Sequence, residues 1–220
     1  MIIDCHIHEN KYSSDSKLDF KDAIKRASAM GIDGLCITNH DNNTLRNEIG
    51  DSAIIDGLLV IVGAEILTFE GDILVFGLKD IPSEMMGAED LLNIVKREKG
   101  AAVAAHPFRN NMRGIGNNIR RLSKLLTGVE AFNGSTLHHH NLQAFNLSNS
   151  LNIPCLGCSD SHIVEKVGSF ATDFYGNIRD HKDFVEALRA GNYDPIKWDN
   201  KAKTFTSIVG EPETLVNVLL

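Results

Sequence analysis

Five of the nine histidines lie in short polar segments that end or follow apolar, strand-like runs. Asp4, His6 and His8 alternate along the first run, and alternation along a strand sends side chains to one face. The later segments are Thr38-Asn39-His40-Asp41, Gly63-Ala64-Glu65, Ala105-His106-Pro107 and Ser159-Asp160-Ser161-His162. Imidazole and carboxylate groups together suit Zn, Mn or Fe, so this pattern predicts a metal site.

The expected ligand set is too large for one tetrahedral ion, and it predicts two or three divalent ions. Paired ions can supply a bridging hydroxide at neutral pH and stabilise charge on attacking and leaving oxygens. Glu65, a carboxylate on a central strand, is the expected bridge between ions. Asp160 is expected to bind one ion and to orient, or accept a proton from, the attacking water. The pattern therefore indicates a metal-dependent hydrolase.

The elements that must position these groups follow a βα pattern, in which short apolar runs alternate with longer amphipathic ones around a mainly parallel sheet. The predicted strands are Ile2 to His8, Gly34 to Thr38, Leu58 to Glu65, Ile73 to Gly77, Ala101 to His106, Gly128 to Phe132, Ile153 to Ser159 and Gly168 to Phe174. Helical spacing recurs around Phe20 to Met30, Leu91 to Lys99, Leu142 to Leu151 and Phe184 to Gly191. The polar groups then meet at the C-terminal rim of the strands.

Chain length sets the architecture that these strands can form. A (β/α)8 barrel typically needs about 250 residues, and this chain has 220. We therefore expect an α/β fold of the distorted, TIM-like barrel kind in one domain spanning 1–220. Arg109 to Asn118 is expected to be a loop, and no element is predicted from Tyr193 onward.

Composition excludes several functional classes. The net charge is −7 without a basic tract, which argues against extended nucleic-acid binding and favours a small substrate. No apolar run approaches the roughly 20 residues of a membrane helix, and no secretory signal is visible, so a cytoplasmic protein is expected. The four cysteines, including the Cys155-x-x-Cys158 pair, are expected to be reduced and buried.

With Ser14-Asp15 added, the motifs occur in an order that resembles the polymerase and histidinol phosphatase (PHP) superfamily. The resemblance extends from the first strand to about Thr172. It implies a distorted (β/α)7 barrel, a trinuclear metal site and phosphoester hydrolysis. The implied ligands are His6, His8, Glu65 and Asp160 for the first ion, Asp15, His40 and His162 for the second, and Glu65 and His106 for the third.

Two positions depart from the family pattern. Asn39 stands where the family usually has Asp, which removes a charge next to His40 but leaves the ligand in place. Asn39 is therefore expected to contact ligand residues rather than a metal ion. After Glu65, many relatives supply a further histidine, whereas this chain reads Glu70-Gly71-Asp72. Asp72 is either a substitute oxygen ligand for the third ion or a solvated turn carboxylate.

Substrate-binding candidates lie in the loops that follow the strands. Arg109, three residues past His106, could hold two phosphate oxygens through its planar guanidinium, with Arg113 sharing the work; a surface-loop role is the alternative for both. Asn133 follows a predicted strand and is expected either to hydrogen-bond the substrate or to stabilise a turn. The consecutive residues His138, His139 and His140 splay around a helix start and are not expected to chelate one ion.

The leading expectation is hydrolysis of a small phosphomonoester or phosphodiester by a metal-bridging hydroxide. A C–N hydrolase of the amidohydrolase type is the alternative enzyme, because the same hydroxide attacks carbonyl carbon. A metal-stabilised interaction module without catalysis is the alternative outside enzymes.

Overall fold

The computed structural model describes residues 1–208, which form a mixed α/β fold with two sheets. The strands are β1 (Ile2–Ile7), β2 (Gly34–Ile37), β3 (Ser52–Ile55), β4 (Leu58–Val62), β5 (Ala64–Leu67), β6 (Asp72–Phe76), β7 (Ala101–Ala104), β8 (Gly128–Asn133), β9 (Cys155–Cys158), β10 (Phe170–Phe174), β11 (Tyr193–Asp199) and β12 (Thr204–Ser207). The α-helices are α1 (Phe20–Ala29), α2 (Arg46–Ile49), α3 (Ala88–Arg97), α4 (Ile119–Leu122), α5 (His138–Leu151) and α6 (His181–Ala190).

The strand order is β12-β11-β10-β1-β2-β4-β3 in the seven-stranded sheet and β5-β6-β7-β8-β9 in the five-stranded sheet. The prediction of a mainly parallel sheet was wrong, because six of the ten strand pairs in the described chain are antiparallel. Short connections such as Asp56-Gly57, between β3 and β4, form hairpins, and a hairpin joins antiparallel strands.

The predicted strand from Leu58 to Glu65 is divided at Gly63, with β4 in one sheet and β5 in the other. A Cβ at Gly63 would lie 2.6 Å from the Phe76 ring and 2.9 Å from the Val75 carbonyl oxygen. Only glycine fits this close approach, and it lets the chain pass from the first sheet to the second. Glu65 is thereby placed on the first strand of the five-stranded sheet.

Two isolated parallel bridges, Ile7 with Ser161 and His40 with Glu65, link the edges of the five-stranded sheet to the ends of β1 and β2, which are inner strands of the seven-stranded sheet. These bridges lie where β1, β2, β5 and β9 end or begin, beside the polar segments. The α/β class is confirmed. The hydrogen-bonded strands of the described residues form two sheets rather than one closed cylinder.

The helices confirm the amphipathic patterns read from the sequence. Asp19 caps α1 by accepting hydrogen bonds from the amides of Lys21 and Asp22, and α6 ends at Gly191 with φ 70°. Helix α3 buries Leu91, Leu92 and Val95 within one of the apolar clusters. None of the helices in residues 1–208 is long and apolar enough to cross a bilayer.

The last described segment and the cysteines complete the fold. The residues from Tyr193 onward, for which nothing was predicted, form β11 and β12 at the edge of the seven-stranded sheet.

Cys5, Cys36, Cys155 and Cys158 are all buried free thiols, as expected from the sequence. Burial raises the pKa of each thiol, which keeps it protonated and unreactive.

Candidate metal centre

His6 and His8 lie at the end of β1 and are fully buried. Their Nε2 atoms are 2.9 Å apart. Two N–H groups cannot point at each other over this distance, so one of the two nitrogens is an acceptor. Nitrogens about 3 Å apart are also spaced as neighbouring ligands of one ion, since each Zn–N bond is about 2.0–2.1 Å.

Glu65 lies at the centre of the histidine cluster. Its Oε1 is 2.8 Å from His106 Nε2. Its Oε2 lies 2.9, 3.3 and 3.5 Å from nitrogens of His40, His8 and His6, and makes no hydrogen bond of good geometry. Although burial raises the pKa of this carboxyl, the surrounding imidazoles, His6 first, hold it well below its usual value. Glu65 is therefore an ionised carboxylate within reach of four imidazoles.

Asp160 closes the cluster from the loop after β9. Its Oδ1 is 3.5 Å from Nε2 of both His6 and His8, and its Oδ2 accepts hydrogen bonds from Arg109 and Asn133. Burial raises the pKa of the Asp160 carboxyl, but His6, His8 and Arg109 together hold it well below its usual value. Asp160 and His106 have positive φ angles of 50° and 25°, a strained backbone of the kind that clusters at functional sites.

Asp15, His40 and His162 form the outer, partly exposed side of the cluster. Asp15 Oδ2 lies 3.1 Å from His40 Nε2 and 3.2 Å from His162 Nε2. The His162 ring stacks on His8 with 4.3 Å between centroids, so this outer group adjoins the buried one. The structure thus brings together all eight residues that the sequence predicted as ligands.

The donor atoms fit divalent ions. Four groups place one potential ligand atom per residue within 4.8 Å of each other: His8, His40 and His162; His6, His8 and Asp160; His6, His106 and Glu130; Glu65, Asp72 and His106. His106 Nδ1 and Glu65 Oε2 are buried without a hydrogen-bond partner in the described chain. Buried polar atoms are normally paired, so these two indicate a missing cationic partner.

Glu130, on β8, is a site residue that the sequence analysis did not select. It is fully buried; Oε1 lies 2.9 Å from His6 Nδ1, and Oε2 accepts a 2.6 Å hydrogen bond from the His106 backbone amide. The available signal was a lone acid inside the apolar run Val129-Glu130-Ala131-Phe132, because a buried charge needs a partner. A carboxylate behind a metal-binding histidine fixes its tautomer and orientation.

Asn39, the first departure from the family pattern, contacts Glu9 rather than the histidines. Its Nδ2 donates to Glu9 Oε1 at 2.9 Å, and its Oδ1 accepts from the Glu9 amide at 3.0 Å. Asn39 is 2% exposed. An aspartate in its place would face a second buried carboxylate, so the amide suits this position.

Arg109 and Asn133 both contact the cluster. The Arg109 guanidinium donates through Nη2 to Asp160 Oδ2 and to Asn133 Oδ1, and through Nε to Thr136 Oγ1 at 3.0 Å. Asn133 also donates to Asp160 Oδ2 at 3.2 Å. His138, His139 and His140 start α5, as the sequence indicated, and belong to none of the four potential ligand groups.

Comparison with known proteins identifies the family. Residues 138–193 match the family model described as PHP-associated. The uncharacterised protein MJ1587 from Methanocaldococcus jannaschii is 35% identical over 146 residues, which span 60% of this chain and 82% of that protein. The chain belongs to the PHP superfamily. The motif order that resembled PHP proteins is thereby explained.

Solved structures share the fold of this chain. PsfC from Pseudomonas syringae PB-5123 has a TM-score of 0.70 and 18% identity over 98% of this chain and 94% of that one. A two-domain protein from Bacteroides vulgatus, described as containing a predicted PHP-like metal-dependent phosphoesterase, has a TM-score of 0.64 and 18% identity over 89% and 64%. A lesion-specific endonuclease from Pyrococcus furiosus has a TM-score of 0.65 and 16% identity over 90% of this chain and 59% of that one. The chain spans about three fifths of these last two proteins.

Proposed function

We propose that this PHP protein is a metal-dependent hydrolase of a small phosphomonoester or phosphodiester. The observation that carries the proposal is the convergence, on one buried carboxylate, of four imidazoles that come from three separate parts of the chain. A scaffold has no need of so many converging ionisable groups, whereas a hydrolytic metal site does.

The proposed architecture is one PHP domain over 1–220, with the two sheets forming a distorted (β/α)7 barrel. The parallel bridges Ile7–Ser161 and His40–Glu65 support it, because they join both edges of the five-stranded sheet to strands of the seven-stranded sheet. The prediction for residues 209–220 lies outside the described residues. The barrel would open at the rim that carries the cluster, which is where active sites of such barrels lie.

The proposed ligands are His6, His8, Asp15, His40, Glu65, His106, Asp160 and His162, with Zn, Mn or Fe as the ions. His6, His8, Glu65 and Asp160 would hold one ion, and Asp15, His40 and His162 another. Glu65 and His106 are the candidates for a third ion. Bound there, divalent ions would supply Lewis acidity and an activated water at neutral pH.

Asp160 is proposed to orient the attacking water rather than to take its proton. Its Oδ2 is occupied by Arg109 and Asn133, and its Oδ1 faces the cluster. A carboxyl whose pKa is held well below its usual value is a weak base but a good hydrogen-bond acceptor.

Arg109 is proposed to bind a phosphoryl oxygen. Its Nη1 makes no hydrogen bond within residues 1–208, and the side chain is 19% exposed beside Asp160. Guanidinium groups bind phosphate oxygens strongly. The fold shared with the Bacteroides vulgatus protein supports the same reaction class. The net charge of −7 supports a small substrate over a long nucleic acid, although an endonuclease shares the fold.

The test is a panel of phosphoesters and amides, assayed with chelator-treated protein and after adding Zn, Mn or Fe(II). We expect phosphoester hydrolysis that requires metal and is inhibited competitively by inorganic phosphate. Asp160→Asn should abolish most activity, whereas Asp56→Asn, a turn substitution outside the cluster, should not. Amide hydrolysis without phosphoester hydrolysis, or full activity of Asp160→Asn, would contradict the proposal.

A further inference from the structure

Asp72 is the residue that stands where many relatives carry a further histidine, and its carboxylate is already taken. Arg113 donates through Nε to Oδ2 at 2.6 Å and through Nη2 to Oδ1 at 2.9 Å. Asp72 is fully buried. This two-point contact is the strongest form of arginine–carboxylate pairing, and it engages both carboxylate oxygens of Asp72.

The main chain fixes Arg113 in this position independently of the ion pair. The Asp72 amide donates to the Arg113 carbonyl oxygen at 2.8 Å. The loop around Arg113 packs so closely on Gly71 that a Cβ there would overlap the backbone of Gly114 and Ile115. Gly71 also has a φ of 142°, which favours glycine. The backbone path therefore places Arg113 beside Asp72, and the two-point contact orients its guanidinium.

The positive charge of Arg113 lies beside the groups that would hold a third ion. Glu65 Oε1 and His106 Nε2 are 2.8 Å apart, a spacing that a shared ion permits, but Asp72 Oδ2 is 3.8 Å from His106 Nε2 and points to Arg113. Arg113 Nη2 also lies 3.2 Å from His40 Nδ1. A divalent ion between these groups would face a guanidinium that is bound to the same carboxylate, and like charges repel.

We infer that the Arg113 guanidinium takes the place of a third divalent ion, so that this cluster binds two ions rather than three. The inference rests on the proposed metal centre. Arg113 neutralises Asp72 and supplies a fixed positive charge beside Glu65 and His40. In this chain, Arg113 is a positioning residue of a dinuclear site, and the trinuclear count implied by the family resemblance does not apply.

The test counts bound metal by element-specific analysis of protein saturated with Zn or Mn and then freed of loose metal. Wild-type protein should retain two ions per chain. Arg113→Ala should retain three, because the freed Asp72 carboxylate joins Glu65 and His106. The double substitution Arg113→Ala with Asp72→Asn should return the count to two.

Two further variants serve as controls. Arg121→Ala removes a surface arginine that pairs with Glu70 and Glu89, and should leave two ions. Arg113→Lys keeps a positive charge and should also leave two ions, which tests the inference if Arg113→Ala does not fold. Three ions in the wild type, or two in folded Arg113→Ala, would overturn the inference while leaving the proposed hydrolase intact. No bound ion at all would overturn both.

Discussion

Substituting Glu130 by Gln tests how the buried carboxylate behind the cluster acts on metal binding. The wild-type carboxylate serves two donors, because Oε1 is 2.9 Å from His6 Nδ1 and Oε2 is 2.6 Å from the His106 amide. Glutamine keeps the shape but offers one oxygen and one NH2 group. It can therefore satisfy only one of the two donors.

Either orientation of the glutamine carries a cost. If its oxygen faces the His106 amide, its NH2 group faces His6 Nδ1. That nitrogen must then be an acceptor, so the proton of a neutral His6 ring lies on Nε2, the atom directed at His8. If its oxygen faces His6, two N–H groups oppose each other in a buried site. A buried unsatisfied donor costs about 1–3 kcal/mol, which corresponds to about 5- to 150-fold weaker metal binding.

The assay is a competition titration of Zn or Mn against a chelator of known affinity. Glu70→Gln, a substitution of the same type outside the cluster, is the matched control and should bind metal like the wild type. We expect Glu130→Gln to weaken binding of the tightest ion by at least about fivefold, with the folded state confirmed by circular dichroism. A change of less than twofold would refute the reasoning that Glu130 orients His6.

Three other predictions concern stability. Gly63→Ala should lower the free energy of unfolding by about 1–3 kcal/mol, because the added Cβ would overlap the Phe76 ring. Gly176→Ala, where the added Cβ meets open space, should leave it unchanged, and urea denaturation of both variants measures the difference. Asn39→Asp should lower the free energy of unfolding, because it replaces the amide that donates to Glu9 Oε1 with a second buried carboxyl; an unchanged urea denaturation midpoint would contradict it. Saturating metal at 100 times its Kd should stabilise the folded protein by about 2.7 kcal/mol, seen as a higher Tm that a chelator reverses.

The convergence of the candidate ligands could be predicted from the sequence because it depends on simple geometry. His6, His40, His106 and Asp160 each follow or end a strand, and strand ends in a βα fold share one rim. The helical spacing of apolar residues likewise predicted α1, α3, α5 and α6. These elements have strong local patterns that the tertiary structure does not override.

The remaining features depend on contacts between residues far apart in the chain. The division at Gly63 depends on the approach of Phe76, and the pairing of Asp72 with Arg113 spans 41 residues. The role of Glu130 depends on His6, 124 residues away. No local period reports such contacts, although a glycine within an apolar run and a charge within a buried strand were visible signals.

The most direct test of the metal centre is anomalous diffraction from crystals grown with saturating Mn or Zn. We predict one peak about 2.0–2.3 Å from the nearest ligand atoms of His6, His8 and Asp160, and a second beside Asp15, His40 and His162. Anomalous peaks confined to the protein surface, with none inside this cluster, would contradict the proposal that these residues form a metal centre.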